Sequence, residues 1–343
     1  MRAKIDAHFD SFTDEKRQKI ARSSYAFFRG TAVIFYERLF TSTEDLARPA
    51  VLSNGDVHPF NFGIVPLSDV PVSGRVHLAL NDFDEACHAP FSVDVKRGAT
   101  GFELFARQLG LGKHERADVV SSFVRGYLEE IKKLEVDPVR AHKNLTRDHA
   151  EGEAKRLLDE AHKIERAHFL AHYVDGDRFK KRDNVIPAPE MVASLAPVIH
   201  ALGDKLTVVD VAHRLGSGTA SAGLERYYVL VRASEGDSIL EVKLAVPSTL
   251  RPFVRTAPLA HTAGESAAKA QREIASSWAR SIQLDGVSYS VRERCPQKAT
   301  LPEVGVTAAQ LADWAATCGL LLARAHGRSR AHASKEVRAA LVA

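Results

Sequence analysis

Acidic and amide side chains are concentrated in two otherwise apolar segments, 52–64 (LSNGDVHPFNFGI) and 78–94 (LALNDFDEACHAPFSVD). Asp56 and Asn61 lie five residues apart in the first segment, and Asp82 follows an apolar alternation in the second. An aspartate can accept or orient a hydroxyl proton, while amide and carboxylate oxygens bind hard cations. Because Mg²⁺ uses few protein carboxylates and leaves room for phosphate oxygens, this residue set favours phosphoryl transfer.

Each of these residues also has an ordinary structural explanation. Asp and Asn are among the commonest turn residues, so Asp56 and Asn61 could form side chain–backbone turns and Asp82 could cap a strand. Taken singly, the structural explanation is the stronger one for each residue. All three together, in this order, favour the functional interpretation.

A second pattern, in residues 206–246, combines a glycine-bearing turn with a lysine inside a strand. Three strands are predicted here, because β-branched and aromatic residues alternate and glycines mark the turns. Backbone N–H groups of a glycine turn can approach phosphates closely. Lys243 alternates with Glu241 on one strand face, and a buried lysine requires a phosphate or a carboxylate nearby. The alternative is a plain hairpin whose lysine reaches solvent at the strand edge.

The first pair of segments resembles the catalytic-loop and metal-binding segments of the aminoglycoside phosphotransferase and choline kinase branch of the protein-kinase-like fold. That branch reads approximately H-G-D-x-H-P-x-N, then a strand ending in I-D-[FW], then a proline and a further aspartate. The resemblance implies that Asp56 is the catalytic aspartate, that Asn61 is a metal ligand, and that Asp82 is the main metal-binding aspartate. It also implies that Asp94 braces the catalytic loop. Asp84 lies close enough to assist with the metal, which the resemblance leaves open.

The order of the segments is permuted relative to a kinase, because the glycine turn and Lys243 follow the catalytic loop instead of preceding it. The whole pattern is similar to a bacterial family of unknown function, DUF2252. The shared segments are residues 28–30, 55–63, 81–85, 94–97, 218–223, 243 and 322–329. The resemblance implies a circularly permuted protein-kinase-like fold that uses ATP and Mg²⁺.

The resemblance also implies a set of nucleotide-binding residues. They are Gly216, Gly218, Gly223 and Lys243, with a helix glutamate paired to the lysine. Glu265 and Glu273 are both candidates for that glutamate, and the apolar neighbours of Glu273 favour it slightly. Ala220 stands at the middle glycine of the G-x-G-x-x-G spacing, where a methyl group hinders close approach of a phosphate unless its φ is negative.

The predicted elements give an α+β, two-lobed fold. Helices are expected over residues 12–48, 92–172, 190–202, 263–282 and 308–330, and strands over 51–86 and 206–246. We expect a helical catalytic lobe over 1–205, a strand-rich nucleotide-covering lobe over 206–300, and a helix over 301–343 that returns to the helical lobe.

Composition excludes several other classes. A formal net charge of +4 on 343 residues does not provide the basic surface that nucleic-acid binding requires. Cys87, Cys295 and Cys318 form no CxxC pair, so neither a zinc site nor a disulfide framework is expected. No apolar run approaches the roughly 18 residues of a membrane span. We therefore expect a cytoplasmic protein whose partners are a nucleotide and a small molecule, not a nucleic acid or a membrane, with any protein partner undetermined.

These observations predict an ATP- and Mg²⁺-dependent phosphotransferase, which transfers a phosphoryl group to an unidentified, small-molecule acceptor. Two alternatives stay open. One is a catalytically weak, kinase-like nucleotide-binding module that acts through a partner, and the other is a nucleotidyl (AMP) transferase that releases pyrophosphate.

Overall fold

The structure is a computed structural model that describes residues 12–40, 47–72, 74–203, 205–216, 223–329 and 333–342. It begins with helices α1 (Asp14–Ile20), α2 (Ser24–Gly30) and α3 (Ala32–Leu39). The side chains of Thr13 and Ser23 accept hydrogen bonds from backbone N–H groups in the first turns of α1 and α2, which fixes where both helices start. The predicted helical start is confirmed as far as α3, and residues 41–46 lie outside the described residues.

Four short strands follow and form two separate antiparallel pairs. They are β1 (Ala50–Ser53), β2 (Phe62–Pro66), β3 (Val76–Leu80) and β4 (Cys87–Pro90). Strand β1 pairs with β4, and β2 pairs with β3. The segment 54–61 therefore leaves one pair and enters the other, and the segment 81–86 does the same in return. This connection brings the two acid-bearing segments together.

The middle of the chain is mainly helical. It contains helices α4 (Phe91–Gln108), α5 (Lys113–Val136), α6 (Gly152–His162), α7 (Arg166–Tyr173) and α8 (Val192–His200). Between α7 and α8 lie three strands of two or three residues, β5 (Val174–Asp175), β6 (Arg178–Phe179) and β7 (Val185–Pro187). The helices predicted here are confirmed, and the charged segment between them contributes β7 to the large sheet.

The large sheet has six strands, all paired antiparallel, in the order β11–β12–β10–β9–β8–β7. Its further strands are β8 (Thr207–Arg214), β9 (Arg226–Ala233), β10 (Gly236–Leu244), β11 (Ala279–Leu284) and β12 (Val287–Glu293), and helix α9 (Ala263–Ala275) separates β10 from β11. The three strands predicted over 206–246 are confirmed. The protein is a mixed α+β structure.

The predicted helix over 263–282 is wrong for its second half. Helix α9 ends at Ser276, which adopts a left-handed conformation with φ of 48°, and β11 begins three residues later. Trp278 and Ile282 are both buried in the core of the sheet. Their spacing of four residues also fits a helix face, so periodicity alone could not separate the two states, and pairing with β12 decides it.

The chain ends with helices α10 (Ala308–Arg328) and α11 (Ala333–Val342). Helix α10 packs closely against α5, and two glycines permit this contact. A Cβ atom at Gly319 would lie 2.1 Å from the carbonyl oxygen of Phe123, and one at Gly126 would lie 2.1 Å from that of Ala316. The close packing places the last turn of α10 beside α5 and beneath the segment 54–61.

The C-terminal end of α9 is held by hydrogen bonds from two directions. The Nε2 atom of His77, on β3, lies 2.7 Å from the carbonyl oxygen of Ala275. Arg328, at the end of α10, donates to the carbonyl oxygen of Ile274 at 2.5 Å and to the hydroxyl of Ser276 at 3.2 Å. The large sheet and its helix are therefore tied to the helical part through the last turn of α9.

Within the described ranges, no helix combines the length and the apolar character that crossing a membrane requires. The cytoplasmic location stays a prediction.

The contact between His77 and Ala275 predicts a pH-dependent stability. Burial and the nearby charge of Arg328 lower the pKa of His77 to about 3. Its Nδ1 has no hydrogen-bond partner among the described residues, and the neutral ring donates through Nε2. The unfolded chain binds a proton at His77 near pH 6.5 while the folded chain does not, so stability is lost as the pH falls from 6.5 towards 3. At pH 5 this group alone costs about 2 kcal/mol relative to high pH.

Urea unfolding at pH 7.5 and pH 5 measures this effect. We expect the loss of stability between the two values to be about 2 kcal/mol smaller in His77→Gln than in wild type. His168→Gln is the matched control, because the His168 side chain is 82% exposed. Equal pH dependence in all three proteins would contradict a neutral, buried His77.

Candidate functional site

The segment 54–61 is a tight loop whose path depends on one glycine. Gly55 adopts φ of +81°, and a Cβ atom there would lie 2.5 Å from the carbonyl oxygen of Glu85. Only glycine tolerates both the conformation and the close approach. The hydroxyl of Tyr36, on α3, donates to the carbonyl oxygen of Gly55 at 2.8 Å. Helix α3 therefore holds this loop through a side chain that packs in one apolar cluster with Cys87 and Ala89 of β4.

Asp94 braces the loop from below, as the resemblance implied. Its two carboxylate oxygens accept hydrogen bonds from the backbone N–H groups of Asn54 and Gly55, each at 2.8 Å. The Nε2 atom of His326 lies 3.0 Å from the same carboxylate, and the hydroxyl of Tyr127 lies 2.8 Å from the other ring nitrogen. Asp94 is fully buried. The last turn of α10 thus fixes the loop through a chain of three side chains.

Asp56 is oriented by Arg97, which lies on α4 and is fully buried. The Nε and Nη2 atoms of Arg97 both donate to Oδ1 of Asp56, at 2.8 and 2.5 Å, and Nη2 also donates to the carbonyl oxygen of Phe28. The other carboxylate oxygen, Oδ2, accepts no hydrogen bond from the described residues. Burial raises the pKa of Asp56, and Arg97 opposes that rise. One oxygen is therefore locked while the other is available to a ligand.

His58 and Asn61 complete the loop. The Nδ1 atom of His58 accepts from the backbone N–H of Phe60, and burial together with Arg29 and Arg97 lowers the pKa of His58 well below its usual value. The ring is therefore neutral and braces the loop. The amide nitrogen of Asn61 donates to the carbonyl oxygen of Asp56 at 2.7 Å, which leaves the amide oxygen to other partners.

Asp82 and Asp84 meet Lys243, on β10, across the interface between the sheet and the helical part. The Nζ atom of Lys243 lies 3.8 Å from Oδ1 of Asp82 and forms a short ion pair with Oδ2 of Asp84. Burial alone would lower the pKa of Lys243, but the two carboxylates raise it. Burial raises the pKa of Asp84, and the charge of Asp82 adds to that rise. For Asp82, Lys243 and Arg292 outweigh burial and lower the pKa.

A second ion cluster lies beside Lys243 on the same face of the sheet. Glu241 accepts from Arg226 at 2.9 Å and from Arg292 at 2.8 Å, and these two arginines outweigh burial and lower its pKa well below the usual value. Arg292 also donates to the carbonyl oxygen of Asn81 at 2.6 Å. Through Arg292, the cluster therefore links β10 and β12 to Asn81, the residue before Asp82.

The predicted pairing of Lys243 with a helix glutamate is not what the structure shows. Glu273 lies 4.0 Å from Lys269, one turn earlier on α9, with its side chain 40% exposed. Glu265 accepts from the backbone N–H of His261 at the start of the same helix. Neither contacts Lys243, because Asp82 and Asp84 already lie against that ammonium group. Glu273 is therefore not the ion-pair partner of Lys243.

Glu85 has a role that the sequence did not reveal. Its carboxylate accepts from the hydroxyl and backbone N–H of Thr249, at 2.9 and 2.7 Å, and from the hydroxyl of Ser248 at 3.0 Å. This ties the chain that follows β10 to the segment 81–86. The only signal in the sequence was the acid itself in NDFDE, because its partners lie more than 160 residues away.

The glycine turn is described only at its ends. Gly216 and Gly223 both have positive φ values, of 64° and 85°. Gly218 and Ala220 lie outside the described residues. The role of all three glycines at a nucleotide stays a prediction.

Two cavities of about 320 Å³ each flank Asp82, which lines both. Cavity A contains Asp56, Asp84, Glu85, Lys16, Val33 and Leu224, and its rim includes Gly223. Cavity B contains Asn61, Arg29, Glu241, Arg292, Arg294 and Lys298. The carboxylates of the site therefore lie at the boundary between a pocket with acidic and apolar walls and a pocket rich in cations.

Loss of the Asp94 carboxylate is expected to loosen the loop. In Asp94→Asn, one of the two backbone N–H donors would face an amide N–H₂ group instead of an oxygen, inside the core. An unsatisfied buried donor next to a lost charged acceptor costs about 2–3 kcal/mol of unfolding free energy. Urea unfolding measures the loss, and Asp69→Asn, at an exposed position, serves as the control. Equal free energies of unfolding for the two variants would show that Asp94 does not stabilise the loop.

Comparison with curated proteins and with solved structures gives no match. A family model does match, and it covers residues 10–342. The chain therefore belongs to DUF2252, a family described as uncharacterized proteins conserved in bacteria.

Proposed function

We propose that this protein is an ATP- and Mg²⁺-dependent phosphotransferase built on a circularly permuted protein-kinase-like fold. The observation that carries the proposal is the meeting of Lys243 with Asp82 and Asp84 beside Asp56. A buried lysine on a third strand, after a glycine turn that joins the first two, faces an aspartate that follows a hairpin; protein kinases hold nucleotide phosphates and their metal ions with such an arrangement.

The order of elements supports the permutation. Strands β8, β9 and β10, helix α9, and strands β11 and β12 follow one another, with the glycine turn between the first two strands and the lysine on the third. Kinases place a glycine-rich loop, a third-strand lysine and a helix in this order. Here, the loop with Asp56, the hairpin β2–β3 and Asp82 precede them in the chain.

The residues at the site fit a magnesium ion that is shared with phosphate. Asp82 and Asp84 supply carboxylate oxygens, and Asn61 supplies an amide oxygen, which are the ligands that Mg²⁺ accepts. In the described part of the chain, no group of three His, Cys, Asp or Glu side chains could hold a metal ion by itself. Such an ion therefore needs phosphate oxygens or water to complete its coordination. When bound, it would neutralise charge on the transferring phosphoryl group.

Asp56 would act on the acceptor hydroxyl. Its Oδ2 atom accepts a hydrogen bond from that hydroxyl and takes the proton as the acceptor oxygen bonds to phosphorus and ADP leaves. Arg97 holds Oδ1, so the carboxylate cannot rotate away from this geometry. The raised pKa of Asp56 makes it a stronger base than an exposed aspartate. Lys243 would stabilise the phosphates by charge.

Nucleotide binding can be tested by thermal unfolding with ATP and Mg²⁺. A ligand at about 100 times its Kd stabilises the folded state by about 2.7 kcal/mol, which raises Tm measurably. We expect this shift in wild type and in the control Lys132→Met, which alters an exposed lysine on α5. Lys243→Met and Asp82→Asn, which approximately keep side-chain volume, should lose it. Equal shifts in all four proteins would place the nucleotide elsewhere.

Catalysis by Asp56 makes a separate prediction. Asp56→Asn should reduce Mg²⁺-dependent ATP consumption by at least about 100-fold, the usual contribution of a general base, while the ATP-induced Tm shift persists. Because the substitution leaves Arg97 without its carboxylate, Tm without ligand must be measured beside it. Turnover within twofold of wild type would exclude this mechanism. ADP as product supports phosphoryl transfer, whereas pyrophosphate would identify AMP transfer instead.

A further inference from the structure

Cavity B contains three cationic side chains that have no carboxylate partner in the part of the chain that the structure describes. Within the described residues, no Asp or Glu oxygen lies within ion-pair distance of Arg29, Arg294 or Lys298. Three of the four acids that line the cavity are paired with cations: Glu241 with Arg226 and Arg292, Glu293 with Arg166, and Asp82 with Lys243. Glu303, at the rim, is exposed. The unpaired charge of this cavity is therefore positive.

Arg29 is held in place by rings instead of by acids. Its guanidinium lies 5.8 Å from the ring centroid of Tyr25 and 5.5 Å from that of Phe60. Its Nε atom is buried and has no hydrogen-bond partner. The side chain lines cavity B, and its other N–H groups make no hydrogen bond to the described residues, which leaves them to a ligand in the cavity.

Arg294, which lines the same cavity, repeats this arrangement. Its guanidinium lies 5.1 Å from the ring centroid of Tyr228 and 6.0 Å from that of Phe169, and it donates to the hydroxyl of Tyr173 at 3.3 Å. Its Nε atom is also buried without a partner. Contacts with aromatic rings restrict the orientation of both guanidinium groups and leave some of their N–H donors unused. An arginine held in this way can donate to phosphate or carboxylate oxygens.

Lys298 is crowded by like charges. Its side chain is exposed; partial desolvation and the nearby Arg294 and Arg292 lower its pKa, and the charge of Glu241 opposes that shift. Three cations gathered in one cavity repel one another unless an anion lies between them. A multivalent anion satisfies all three at once, whereas a single carboxylate carries only one charge.

We propose that cavity B is a binding site for a phosphate-bearing anion of the pyrophosphate class, held by Arg29, Arg294 and Lys298. Its volume of about 320 Å³ exceeds what a single inorganic phosphate occupies. The same chemistry could be presented by the terminal phosphates of a nucleotide or by an anionic acceptor. The site stands on these three side chains and does not require that the protein transfer phosphate.

The direct test is binding of inorganic pyrophosphate, measured by isothermal titration calorimetry on the full chain without Mg²⁺ or nucleotide. Wild type should bind, and binding should weaken as salt is raised. Arg294→Gln and Lys298→Gln should each weaken Kd by at least about tenfold, the loss of one charge-assisted interaction. The controls are Arg107→Gln and Lys132→Gln, which alter exposed cations on α4 and α5 and should leave Kd unchanged.

The outcomes are distinct. If pyrophosphate competes with ATP, the site takes the nucleotide's own terminal phosphates, and if both bind together, it takes an anionic acceptor. Either result supports the site. No pyrophosphate binding at low salt, or equal Kd in all five proteins, would overturn it.

Arg294→Gln removes ring packing and could unfold the chain. Lys298→Gln alters an exposed side chain and keeps the test valid. Failure of ATP turnover with intact pyrophosphate binding would count against the proposed function alone.

Discussion

Lys243 is 5% exposed and lies between two carboxylates that come from a segment 159 residues away in the chain. A lysine without a partner is costly to bury, and two neighbouring carboxylates repel each other unless a cation or a bound proton offsets the repulsion. The contact therefore stabilises both sides. The sheet that carries Lys243 and the segment 81–86 that carries Asp82 and Asp84 meet at this place, and the rest of the cleft is built around that contact.

The other interactions at the cleft fix the position of this contact. Glu85 holds the chain that follows β10, Arg292 holds the residue before Asp82, and Arg328 and His77 hold the end of α9. These are hydrogen bonds to backbone groups, which set the distance between the two parts more closely than apolar packing does. Asp94 and Arg97, both on α4, then orient the loop with Asp56 relative to that frame. A single helix thus determines where the loop lies and which carboxylate oxygen is free.

The sequence predicted the residue set better than its pairings. Four of the predicted residues line the two adjoining cavities, and Lys243 contacts two of them, because motifs of a few residues report their own local geometry; the four are Asp56, Asn61, Asp82 and Asp84. The glutamate that would pair with Lys243 was predicted on α9, and the structure gives that place to Asp84. A pairing between distant segments depends on the register of β10 and on the depth of the cleft, and neither is encoded locally. The strand β11 was missed for the same reason, because Trp278 and Ile282 fit a helix or a strand until β12 is present.

Most charges of the cleft are paired with an opposite charge, and the charges that are left differ between its two cavities. Arg97 neutralises Asp56, Lys243 partly neutralises Asp82 and Asp84, and Arg226 with Arg292 neutralises Glu241. Two imbalances are left at opposite ends: an excess of acid in cavity A, and an excess of cation in cavity B. A ligand that spans Asp82 would meet cations on one side and acids on the other. The polyphosphate and metal ion of the proposed function match this distribution of charge better than a wholly apolar molecule does.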